Sequence, residues 1–275
     1  MVRVPRVPGR RSDRRPDAAC PDDPPDPGAA ARPSLGELVA QTAAGRGDDP
    51  GDRRRQLGAL TRALAATARG AGGGARGLGQ LLADTLADAA PRIPVRDAAT
   101  LRSHHPGRSD DEIADLLVRT AGRTTAAFGA AVGALAAVEF AVPPAYLAAP
   151  VLLAAETLAV AAVEVKLVAE LHQLYGEPAA GSGTQRASAY LESWMHQRAL
   201  DSQAGAAGLS AVLGYAAKRE LRTILLRRTG RSMFKLAPFL AGAVAGGTIN
   251  RRATRGLGDR VGAELRGRHP TVPPG

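Results

Sequence analysis

The chain has 275 residues, of which 45% are apolar but only 3% aromatic, and its formal charge is +10. A single cysteine, Cys20, excludes internal disulfides and a thiolate metal cage, and so few aromatics leave little surface on which single-stranded nucleic acid could stack. No apolar run follows the N-terminal arginines, so no secretory signal is expected; the expected location is the cytoplasmic side of the cell membrane, with the cytoplasm as the alternative.

In chain order, residues 1–33 come first, with 8 prolines, 7 arginines and 5 aspartates. A segment with almost no large apolar side chain cannot offset its ordering entropy by burial, and it reads as a disordered tail. Residues 34–100 read as short helices and linkers. Ser34 and Glu37 form a capping box before Leu38 and Val39. A helix follows from Arg53 to about Arg69, carried by Leu57, Leu60 and Leu64. The glycine run at 70–74 ends it; lacking a Gly-Lys-Ser/Thr ending, that run is a joint, not a phosphate loop. Leu78–Ala90 is a further helix closed by Pro91 and Pro94. Residues 103–108 form a turn, and Ser109 caps the next helix, with Asp110, Asp111 and Glu112 in its first turn.

The centre of the chain is an Ala-rich apolar helical hairpin over residues 120–176. Thr124–Val142 and Ala145–Val163 each hold 19 residues with one acid, Glu139 and Glu156 respectively. Each is near the roughly 20 residues needed to cross a bilayer. Pro143 and Pro144 break the helix between them. If the hairpin spans, Arg119, Arg123 and Lys166 flank it, and both ends lie in the cytoplasm. Past Val163 the pattern turns amphipathic and ends at Gly176, a left-handed cap.

A loop at 177–184 and a helix from Arg186 to about Leu200 follow, the latter with the only tryptophan, Trp194. Then come an apolar stretch at 204–217, a basic helix at 218–231, an apolar stretch at 236–249, and a last basic helix to about Arg266; residues 269–275 are a tail. Residues 218–268 hold 13 Lys/Arg against 3 acids, while the rest of the chain is neutral. Lys218, Arg219, Arg222, Arg227 and Arg228 surround Leu221, Ile224 and Leu225, a pattern suited to an anionic membrane surface; nucleic acid is the weaker target, and a solvated helix face is the plain alternative. With no alternating strand anywhere, the expected fold is all-α, a helical bundle around the hairpin, with residues 101–268 as its core domain.

Gly129 with Gly133 and Gly242 with Gly246 are small-xxx-small pairs, which let helix backbones approach closely within a membrane or an oligomer; coincidence in a chain with 32 glycines is the other reading. Glu139 and Glu156 are candidate intramembrane or buried acids, and an acid in lipid needs a partner or a wet cavity. His104 and His105 near Asp110 and Asp111 lack the spacing of a metal motif. No nucleophile elbow or nucleotide fingerprint occurs, so no catalytic, cofactor or metal residues are assigned and no enzyme is expected. An enzyme would need a pocket lined by Glu156, Glu164, Glu170 and His172.

The stretch Lys235–Arg252, a proline-containing, glycine-rich apolar run ending in Asn250, resembles the EcsC-like family. The block from Glu156 through Lys166 and Glu170 to Gly176 is compatible with that family's helical core, and the similarity covers about residues 110–266. The resemblance implies a helical, membrane-associated protein that supports envelope or transporter function; the expected partners are an anionic membrane surface and a second copy of the chain or a membrane protein. It supplies no catalytic residues. The rival expectation is a soluble helical protein-interaction module in the cytoplasm.

Overall fold

The computed structural model describes residues 33–45, 49–70, 75–139, 149–201 and 240–268, and these hold eight α-helices and no strand. They are α1 (Leu35–Ala44), α2 (Pro50–Gly70), α3 (Ala75–Ala89), α4 (Ala98–Ser103), α5 (Asp110–Glu139), α6 (Ala149–Leu174), α7 (Gly183–Asp201) and α8 (Leu240–Arg268). The fold is an all-α bundle. The 143–144 bend and the basic segment 218–231 lie outside the described residues.

Helix starts follow local chemistry. Ser34 Oγ accepts from the Glu37 amide at 3.1 Å, and Glu37 returns a carboxylate to the Ser34 amide at 2.8 Å. Ser109 and Glu112 repeat this box at the head of α5. Each box satisfies two amides that the first helical turn leaves over. The carboxyl of Glu112 is held below its ordinary range by these bonds, the Ser109 amide first. Helix α4 departs from the expected linker: Asp97 caps it by accepting from the Thr100 amide at 2.7 Å. At the far end of α6, Gly176 adopts φ 77° while the Glu177 amide reaches back to the carbonyl of His172 at 2.9 Å. A side chain there would be strained, which is why glycine sits at that place.

Helix α6 is the axle of the bundle. Its residues are buried from Leu152 through Val165 and again from Leu167 through Leu171, and α1, α2, α3, α4, α5, α7 and α8 all pack against it. A helix buried on every side has no solvent face to present and is stable only when enclosed; here the enclosure is the rest of the same chain. Among the described residues no helix is long and apolar enough to cross a membrane. Helices α1 to α4 share this core with α5 to α8, through Val39, Leu57, Leu60, Leu64, Leu82, Leu86 and Leu101.

The most extensive helix pair is α5 with α8, not α5 with α6. Asp111 meets Arg266, Gly258 meets Val118, Thr125 meets Asn250 and Thr254, and Gly129 meets Gly246, so the two helices run antiparallel along their length. The sequence suggests an apolar stretch followed by a separate basic helix, whereas residues 240–268 form one continuous helix through Gly246 and Gly247. Glycine costs a helix about 1 kcal/mol relative to alanine. Close packing offsets that cost here: a Cβ on Gly129 would lie 2.7 Å from the Gly246 backbone, and one on Gly247 3.0 Å from the carbonyl of Ala126.

Candidate functional site

Two polar clusters line the axle. The first is a buried ladder between α5, α6, α7 and α8. Asn250 Nδ2 donates to Glu156 Oε1 at 2.6 Å and to the carbonyl of Thr125 at 3.2 Å. Thr125 Oγ1 donates to Thr254 Oγ1 at 3.0 Å, and Thr254 Oγ1 donates onward to Glu164 Oε1 at 2.7 Å. Glu164, wholly buried, also accepts from the Trp194 indole at 3.1 Å and from the Arg198 guanidinium, whose Nε lies at 3.1 Å. Thr125 Oγ1 also lies 3.2 Å from the carbonyl of Gly122, so Thr254 is the hydroxyl that ties this end of the ladder to the Glu164 carboxylate. A buried charge persists only when paired and hydrogen-bonded, and Glu164 has both.

The second cluster sits lower on α6, at the link between α3 and α4. Arg96 clamps Glu170 with two bonds of 2.8 Å, from Nε and Nη2. Lys166 Nζ reaches the same carboxylate at 3.1 Å and also donates to the carbonyl of Pro94. The bond to Glu170 holds the Arg96 guanidinium above its ordinary value, against the opposing pull of burial. Cavities of about 550 Å³ and 530 Å³ flank this cluster, and Val95 and Arg96 line both.

Further along α6, His172 Nε2 lies 3.2 Å from Ser193 Oγ, and burial holds its imidazole below the ordinary histidine range. Tyr175 donates to Asp111 at 2.8 Å and accepts from Arg266 at 3.1 Å. Burial, and then the bond to Asp111, pushes its hydroxyl up to about 12.

The structure distributes the predicted residues as follows. Glu156 is a buried acid of the ladder. Glu139 ends α5, and its side chain lies outside the description. Gly129 and Gly246 face one another within a single chain, Gly133 is buried, and Gly242 lies in α8 with its surroundings outside the description. Lys218, Arg219, Arg222, Arg227 and Arg228 lie outside the described residues. Glu156, Glu164, Glu170 and His172 do not converge: each has its own partners, and of the four only Glu170 lines either cavity.

Asn250, Thr125, Thr254, Arg198 and Arg96 were not singled out as site residues by the sequence. They lie between 34 and 129 positions from their partners, beyond any local spacing. A hydroxyl or amide inside an apolar helical stretch was the one available signal, and Asn250 directly after Ile249 carries it.

The surface offers one more feature. Among the described residues the exposed large apolar side chains are Val244 (71% exposed) and Ile249 (51%), both on α8. Thr248, Arg251 and Arg252 are exposed beside them. Comparison of the chain with protein-family models, with curated proteins and with solved structures gives no match in any of the three.

Proposed function

We propose that the protein works at an anionic membrane surface as a peripheral helical module, touching it through the C-terminal helices. The observation that carries this reading is the exposed strip on α8. Val244, Thr248, Arg251 and Arg252 recur at three- and four-residue spacing, with Ile249 beside them. Apolar side chains at the edge of an arginine cluster suit an interface where one part enters the acyl boundary and the other meets phosphate. The net charge of residues 218–268, 13 Lys/Arg against 3 acids, favours the same kind of partner. The enclosure of α6 favours peripheral contact over insertion of the hairpin. The resemblance to EcsC-like proteins supplies envelope or transporter support as the biological setting.

The test is co-sedimentation of the full-length chain with vesicles containing about one-third phosphatidylglycerol, against vesicles of phosphatidylcholine alone. Expected is binding to the anionic vesicles only, released by salt because surface charge is screened within about 10 Å at 0.1 M, and weakened several-fold by R251E/R252E. Equal partition to both vesicle types, or none, would overturn the reading.

A second reading, a soluble helical interaction module, is favoured by one observation. The acids of α6 are partnered inside the chain, so the bundle needs no lipid to complete its core. Retention in the supernatant of a fractionated cell, with no salt or carbonate wash needed, supports it.

A further inference from the structure

We infer that the 550 Å³ cavity between α1, α5, α6 and the Pro94–Arg96 link binds a single-chain anionic amphiphile, with its head at Lys166 and Arg96. The volume falls within the range of small-molecule sites, about 300–1,000 Å³. Ala43, Leu117, Ala121, Val163 and Leu167 give the wall its apolar character, Thr120, Thr124 and His104 add polar groups, and Arg96, Lys166 and Glu170 form one ion cluster in it. An apolar wall beside a single ion cluster suits a guest with an apolar chain and one charged head.

The charge at the pole is unbalanced. Arg96 and Lys166 both bond Glu170, and it is the one carboxylate in the cluster. Two cations on one anion leave a net single positive charge. Lys166 is mostly buried (side chain 17% exposed) and Arg96 half-buried (34%), so water screens that charge less than it would on the surface. A monoanionic head beside Lys166 completes a two-by-two arrangement. Neutral guests gain the apolar contacts but not this pairing. The way in is marked by residues that are exposed and line the cavity: Ala44, Gly45, His104 and Thr120. This inference rests on the cavity and its ion cluster, and it stands apart from the proposed membrane contact of α8.

The experiment is titration calorimetry of the full-length chain, with probes kept below their micelle concentrations. The probes are decanoate, decyl phosphate and 1-decanol. Expected is one-to-one binding of decanoate, about tenfold or more tighter than decanol, the difference a charged hydrogen bond typically supplies. K166M should bring decanoate to the affinity of decanol. Thr120→Trp, at the exposed rim, should block both without disturbing the core, and an unchanged thermal melt shows that its fold is kept.

Decyl phosphate binding more tightly than decanoate supports the site and identifies its source as a lipid headgroup; the reverse identifies a free fatty carboxylate. No heat with either anion, equal affinity for decanoate and decanol, or decanoate binding indifferent to both variants overturns the inference. A chain that sediments with anionic vesicles yet ignores all three probes fails this inference alone.

Discussion

Glu164 is the residue on which most of the core's polar chemistry converges. It accepts from Trp194, Arg198 and Thr254 at a wholly buried position. Removing one partner of such a cluster strands charge in low dielectric and costs about 3–5 kcal/mol. Glu164→Leu should therefore lower stability by that order, read as a fall in the urea midpoint. Trp194, the sole tryptophan and wholly buried, is the probe. Replacing Glu164 and Arg198 together by leucine should recover a large part of the loss, because no charge is then left stranded.

His172 gives a pH signature. Burial holds its folded value below the roughly 6.5 of the unfolded chain, and contacts with Glu177 only partly oppose this. As pH falls, the unfolded chain takes up the proton first. Stability is then lost progressively from about pH 6.5 towards the lower folded value. Unfolding free energies between about pH 8 and pH 5 should show this slope in the native chain. In His172→Gln the slope should be shallower; an identical slope in both proteins would exclude His172 as its source.

At the scale of elements, the α5–α8 pair stands on glycine. The Gly129 position leaves only 2.7 Å between an added Cβ and the Gly246 carbonyl, with Asn250 Nδ2 at 2.8 Å. Gly129→Leu must push the helices apart, and overpacking of this kind costs about 1–3 kcal/mol. Displacing Asn250 would also take its amide from Glu156 and Thr125. The expected outcome is a thermal midpoint several degrees lower, whereas Gly267→Leu, whose added Cβ would meet nothing within 4 Å, should leave the midpoint nearly unchanged.

Elements were the most legible part of the sequence. The boxes at Ser34 and Ser109 and the cap at Gly176 depend on residues within four or five positions of one another, and local chemistry decides them. Helix α4 is not expected from the sequence: Asp97 ahead of Ala98, Ala99 and Thr100 is a cap, but the six residues hold no apolar period to announce a helix. Helix α8 was misdivided for the opposite reason. Its glycines carry a negative local signal, overridden by a partner helix more than a hundred residues away in sequence.

For the whole molecule, the sequence made the burial of α6 plain but not what buries it. An alanine-rich helix has the same apolar surface whether lipid or protein covers it. The distinguishing information lay in Glu156, Glu164 and Glu170, whose partners Asn250, Arg198 and Arg96 come from α8, α7 and the link before α4. Three acids on one apolar helix are costly in hydrocarbon and tolerable where each finds a donor. The cavity beside Lys166 was not legible at all, because its walls come from α1, α5, α6 and a linker. Only the assembled chain brings them together.

The place of α6 in the chain order also bears on how the protein is made. The ribosome delivers α1 to α6 before α7 and α8 exist, so for a time the axle lacks two of its walls. During that interval Glu164 has neither Arg198 nor Thr254, and the side of α5 that Gly246 will cover stands open. The emerging chain therefore holds a sticky half-bundle until α8 leaves the exit tunnel. A chain cut short in that region would be a natural client for chaperones or proteases, which recognise exposed apolar surface.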